Sequence, residues 1–354
     1  MTLFLYLLRS LVTSTAFAVG ALGFIVFPAL AVSAVQRLGG VSLYAVLRYI
    51  PMIGIELTPY LVSLGFLLGV VSTFGRLAAD REWIAIQMAG VHPLRPLVPA
   101  TLVAILLGLG TVWLQDVPSP HWKLEQDNFR SNMLVQNLRN LAPGRTEFDI
   151  GRFYLSARGR DGTAFIDAQI RAPGQNEGED DYAVVADRVE IGFDDKFMYL
   201  TLAGVRSVRE STKAEIGLSG HRVELSRIFA PRNKDERRAK YRSNHAMRKE
   251  LAAGTAGDFA NEYRYEIHSR WAVGATYLLF VLIGMPTGLW LRAGTQLAAM
   301  GVASLYAFVY FIVSLRLGKE LASAGAVSPE VAAWSTNVLA LGIGIVMVWR
   351  TCRR

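Results

Sequence analysis

The residues of this chain able to do chemistry are few, and they do not assemble an enzyme's centre. His121, His221, His245 and His268 are scattered without the spacing of metal ligands. The sequence has neither a G-x-S-x-G elbow nor a glycine-rich phosphate loop ending in Lys-Ser or Lys-Thr. Asp167, Asp187, Asp194 and Asp195 lie in or beside turn clusters, where solvated carboxylates are expected. The expectation is therefore no catalytic residue, no metal and no directly bound cofactor. If the protein works with ATP, another chain binds the nucleotide. What stands out instead is polarity in apolar surroundings.

The clearest case is "GRLAADREWIAIQMAGVHP", residues 75–93, set between two long apolar runs. Asp80 is expected to cap a helix over about 80–89, accepting from the free N–H groups of its first turn. Glu82 adds negative charge at the positive helix end. Gly90 ends the helix and Pro93 prevents its continuation. Trp83, Ile84, Gln87 and Met88 recur at three- and four-residue spacing. Such a helix can rest on a membrane surface with its aromatic at the headgroups. It can also act as a rigid coupling helix seated in a cytoplasmic motor. In that second role Trp83 and Met88 are the apolar anchors and Glu82 is the ionic pin.

The elements that position this stretch read as membrane helices. Of 354 residues, 52% are apolar and 19% charged, a soluble domain having fewer of the first and more of the second. About 20 apolar residues cross a bilayer as helix. Six segments qualify, roughly 11–33, 52–74, 96–115, 270–291, 296–315 and 331–349. The N-terminal stretch is too long for a signal-peptide core and is read as a retained helix. An even count puts both termini on one side. Arg9, Arg76, Arg81, Arg95, Arg292, Arg350, Arg353 and Arg354 outnumber Arg37, Arg48, Arg316 and Lys319 at the opposite ends, so the first side is cytoplasmic. The net charge of +8 fits such anchoring, and no aromatic-interleaved basic module points to nucleic acid.

Between the third and fourth spans lies a polar insert, about 116–265, expected outside the membrane. "HWKLEQDNFRSNMLVQNLRN" has helical spacing. From Thr146 the period changes to two through "EFDIGRFYLSAR", "TAFIDAQIR", "YAVVADRVEIGF", "FMYLTLAG" and "HRVELSRIF", divided by turn clusters. Five to eight short strands predict a small sandwich or jelly roll. A basic helix over "PRNKDERRAKYRSNHAMRKELAAG" leads back. The single cysteine, Cys352, lies in the C-terminal tail, so no disulfide holds the insert. The expected organisation is three spans with the coupling helix (1–115), the β-rich insert (116–265) and three further spans (266–354).

Four stretches resemble the LptF/LptG lipopolysaccharide export permeases: "YLLRSLV", the "GRL..D.E" pattern with its "AG" ending, "YEIHSRWAVGATYLLFVLIGMPTGLWLRAG" and "GKELASAGAVSPEVAAWSTNVL". The order and spacing of these stretches are specific, and the layout of six spans with one β-rich insert agrees. The resemblance implies a multi-pass permease of the bacterial inner membrane, paired as a heterodimer with a paralogous permease on a cytoplasmic ABC ATPase dimer. It implies extraction of lipopolysaccharide and delivery to a periplasmic jelly-roll bridge docked by strand addition. Asp80, Glu82, Trp83, Ile84, Gln87 and Met88 would contact the ATPase. Spans one and five form lateral gates in that family, so Arg37, Arg48, Arg316 and Lys319 would ring the cavity mouth for the anionic head group. Glu56, near the outer end of span two, is expected to pair with Arg48 or with the partner permease. The alternative is a permease of another ABC-type exporter of lipids or lipoproteins; the macrolide or lipoprotein exporter type carries its large domain after the first of four spans, which the three leading spans here oppose. A membrane scaffold without transport is the remaining alternative.

Overall fold

A polypeptide inside hydrocarbon must satisfy its backbone within the segment, and a helix does this for a single run. The computed structural model describes residues 2–38, 43–139, 147–149, 154–161, 164–172, 182–193, 198–209, 212–218, 221–224, 238–291, 296–314, 318–323 and 327–353. Contacts divide the chain into two compact units: 1–29, 52–124 and 236–354 form one, and 30–51 with 125–235 the other. Residues 236–265, expected within the polar insert, therefore group with the helices, and 30–51 group with the strands.

In the first unit, five described helices are long and apolar enough to cross a membrane. These are α1 (Thr2–Leu38), α2 (Leu43–Ala79), α4 (Leu97–Asp116), α7 (Ala260–Trp290) and α10 (Pro329–Arg353), with α1 and α2 extending into the second unit. At the sixth expected span the described helix is α8 (Gln296–Ile312), whose 17 residues are fewer than the roughly 20 of a typical crossing. The short helices are α3 (Glu82–Met88), α6 (Asn244–Ala252) and α9 (Gly318–Ser323).

Helix α7 is the most buried of the candidate spans. Apolar side chains gain little by leaving lipid for one another, so helices in a bilayer associate where small residues let backbones approach. Gly108 of α4 meets Gly274 of α7 in this way: a Cβ at Gly108 would stand 2.5 Å from the Gly274 carbonyl oxygen. A Cβ at Gly288 would likewise stand 2.7 Å from the Val71 carbonyl oxygen of α2. Polar groups along α7 are bonded across these contacts. Tyr277 and Thr111 share a hydrogen bond of 2.8 Å, and Tyr310 of α8 bonds both Thr276 and Asn337. Asn337 in turn donates to the Ala272 carbonyl at 2.8 Å. Trp113, Trp271, Trp334, Trp290 and Trp349 sit towards span ends, as in an interfacial aromatic belt, and Arg353 stacks over Trp349 at 4.3 Å.

The second unit holds α5 (Pro118–Arg139, from Glu125 onwards) and one antiparallel sheet: β1 (Glu147–Asp149), β2 (Tyr154–Asp161), β3 (Ala164–Ala172), β4 (Tyr182–Phe193), β5 (Met198–Arg209), β6 (Thr212–Leu218) and β7 (His221–Glu224). From β1 to β6 the described pairings join neighbours in sequence, while β7 returns to pair β5, lying end to end with β6 along one edge. Among the described residues β1 to β6 form a meander, and no paired Greek keys of a jelly roll are seen there. Its pairing skips one row, Arg158, Asp167, Asp187 and Gly204, across four strands. Asp167 and Gly204 have φ of 52° and 65°. At that row the alternation inverts: Phe165 and Ala168 are both buried, as are Ala186 and Val189. The row is a crease at which the ladder is interrupted and the sheet exchanges its inward and outward positions. Gly204 is required there, because a Cβ would collide with the Asp187 carboxylate as well as strain the backbone.

Candidate functional site

The charged stretch after α2 folds as a helix, with a different start from the one its residues suggest. Asp80 is not the cap. Its N–H continues the α2 ladder by donating to the Arg76 carbonyl at 2.9 Å. The chain turns at Arg81, in the left-handed region at φ 61°, and no side chain caps α3. The C-terminal end is as expected: Gly90 adopts φ 72° and donates to the Gln87 carbonyl at 2.9 Å.

Trp83 points inward. It is 7% exposed and packs edge-on against Phe74, with ring centroids 6.4 Å apart, in a cluster with Leu77 and Leu97. It is therefore not an anchor offered to a partner, because the apolar core under α3 claims the indole and fixes the helix to the bundle. The outward residues are Met88, 84% exposed, and Ile84, 43% exposed, with Gln87 half-buried between them. Glu82 accepts a hydrogen bond from Tyr6 of α1, at 2.9 Å to Oε2 and 3.2 Å to Oε1. Nearby, Arg76 donates from Nη2 to Ser10 Oγ at 2.5 Å.

A groove of about 780 Å³ opens between α1, α2 and α8, lined by Leu22, Leu64, Leu305, Phe308, Phe311 and Ile312 among others. An apolar wall of this kind accepts hydrocarbon and offers almost nothing to a charged group. The expected head-group cations are only partly placed. Arg316 lies outside the described residues, as do the side chains of Arg37 in the last turns of α1 and Lys319 in α9. Arg48 bonds Glu125 at 4.0 Å and stacks over Phe129 at 5.3 Å. The expected Glu56–Arg48 pair is not formed: Lys123, one turn into α5, lies 3.4 Å from Glu56 and takes that carboxylate. Both groups are partly exposed, so Glu56→Gln is expected to lower stability by less than about 1 kcal/mol. Thermal unfolding in detergent measures this, and the pairing with Lys123 is checked by a double-mutant cycle with Lys123→Met.

Arg270, in the "EIHSR" entry to α7, is a polar centre whose partners no spacing predicted. Its side chain is 3% exposed. Nε donates to Glu266 at 3.2 Å, and Nη1 to Asn244 at 3.2 Å and Asp116 at 3.4 Å. Nη2 donates to the carbonyls of Ala239 at 3.2 Å and Arg242 at 3.0 Å. Asp116 also receives the Asn244 N–H at 2.5 Å. The guanidinium thus ties the end of α4 and the start of α7 to the returning chain. The signal available in the sequence was a basic residue at the mouth of an apolar run, flanked by an acid four residues earlier.

The family model for the lipopolysaccharide export system permease LptF/LptG matches residues 5–350, nearly the whole chain. The protein belongs to the LptF/LptG family. No curated protein matches the chain. Membership makes this a multi-pass membrane protein of lipopolysaccharide export, a transport permease rather than an enzyme. The α3 surface and the apolar groove are then parts of an LptF/LptG-type carrier.

Proposed function

We propose that the chain is the permease half of an ABC-type machine that lifts lipopolysaccharide out of the bacterial inner membrane and passes it to a periplasmic bridge. In this reading α8 completes six spans, with both termini in the cytoplasm. A paralogous permease completes the cavity, and a cytoplasmic ATPase dimer supplies the energy. Acyl chains enter the apolar groove, while Arg37, Arg48, Arg316 and Lys319 serve the phosphorylated head group. The bridge adds a strand at an edge of the creased sheet.

The observation that carries the reading is the α3 surface. A helix held by a buried Trp83 presents Ile84 and the exposed Met88 side by side, an apolar pair of the kind that seats in a partner's pocket. Asp80, Glu82 and Gln87 supply its polar rim. Placing a carboxylate at the apolar centre, Met88→Asp, is expected to reduce ATPase co-purifying with the permease by roughly thirtyfold, about 2 kcal/mol of docking energy. The purified permease should unfold at the unchanged temperature. Undiminished ATPase capture removes the docking assignment.

A further inference from the structure

Glu82 belongs to the helix proposed to meet the motor, yet its carboxylate is already held from within the chain. The Tyr6 hydroxyl bonds both of its oxygens. One turn further along α1, Ser10 is 7% exposed and accepts from Arg76 at the end of α2. Leu7 and Leu11, 3% and 2% exposed, belong to the same apolar cluster as Leu77 and Trp83. The foot of α1 is therefore fastened to α3 through Tyr6 and to the end of α2 through Ser10, above a shared apolar cluster.

The same α1 forms a wall of the apolar groove through Leu22. At 1.5 Å per residue, Leu22 stands roughly 24 Å along the helix from Tyr6. The three groove walls differ in their attachment to α3. Helix α2 is joined to it covalently through Asp80 and Arg81. Helix α1 is joined through Tyr6 and its neighbours. Helix α8 touches α2 through the edge-on Phe311–Tyr60 pair at 5.4 Å, but its hydrogen bonds run to α7 and α10, through Tyr310 to Thr276 and Asn337.

We propose that Tyr6 is a positioning residue that makes α1 move with α3, so that a displacement imposed by the ATPase shifts two walls of the groove against the third. The inference rests on α3 being the docking helix. Its distinctive requirement is that docking and transmission depend on different atoms: the negative charge of Glu82 for the motor, and the Tyr6 hydroxyl for α1.

Two variants of the assembled transporter in proteoliposomes separate these functions. Tyr6 is 45% exposed, and Tyr6→Phe removes only the hydroxyl. Captured ATPase should stay within about twofold of the parent, while lipopolysaccharide delivered per ATP hydrolysed falls at least about fivefold. Glu82→Gln keeps a carbonyl oxygen for Tyr6 but loses the charge. ATPase capture should then fall at least about fivefold, while delivery per ATP hydrolysed stays within about twofold. Unchanged delivery per ATP in Tyr6→Phe overturns the tie. So does loss of ATPase from that variant, because Tyr6 would then only shape the docking face. If Glu82→Gln retains the ATPase in full, the docking reading itself fails, and the inference with it.

Discussion

Replacing Arg270 by alanine is expected to destabilise the helical unit by about 3–5 kcal/mol, the cost of stripping one partner from a buried ionic cluster. Five donors leave together. Glu266 loses its guanidinium partner, Asp116 keeps only the Asn244 N–H, the Ala239 carbonyl keeps only the Arg242 N–H, and the Arg242 carbonyl loses the Arg270 donor. Arg270→Lys restores the charge but not the planar fork, and one ammonium cannot reach all these acceptors. It should recover less than half of the loss. Denaturant unfolding in detergent measures both variants, and protease sensitivity at 238–252 should rise in each. A loss below about 1 kcal/mol for Arg270→Ala would mean that the cluster does not clamp the returning chain.

Arg270 also shows where the sequence stops being legible. A basic residue beside Glu266 was visible at the entry to an apolar run, but Asp116 lies 154 positions away, and only the folded bundle brings it there. Five of the six expected spans were readable, because length and apolarity are local properties that the bilayer selects directly. The alternation of the strands was readable for the same reason, and the crease was not. A positive φ at Asp167 depends on the neighbouring strands, whereas Gly204 alone carried a conformational hint. On α3, Gly90 announced its own turn. Arg81 did not, since a non-glycine residue in the left-handed region leaves no mark on a pattern. Spacing grouped Trp83 with Met88, yet could not say which of the two faces the core. Phe74 and Leu97 decide that, and they come from the helices on either side. Glu56 was recognised as needing a cation, and the nearer candidate in sequence lost to Lys123 once α5 was placed.

The crossing of α4 and α7 offers the sharpest test of how the bundle is held. Gly108→Leu puts a branched side chain where a single Cβ already meets the Gly274 carbonyl at 2.5 Å. The obstruction is backbone, so no rotamer relieves it and the helices must separate. Separation also breaks the bond between Thr111 and Tyr277, leaving two hydroxyls without partners in an apolar interior. The combined cost is about 3 kcal/mol. Gly110, two residues on, is the internal control: it is exposed, and a Cβ there meets nothing within 4 Å. Gly110→Leu should leave the midpoint of unfolding unchanged or raise it slightly, since leucine is the better helix former. Equal effects at both positions would show that the mere presence of leucine matters, not the closeness of two backbones. A loss confined to Gly108 would establish that α7 is held by contact too tight for any side chain. A span seated in that way supplies a fixed frame against which α1 and α2 can be moved.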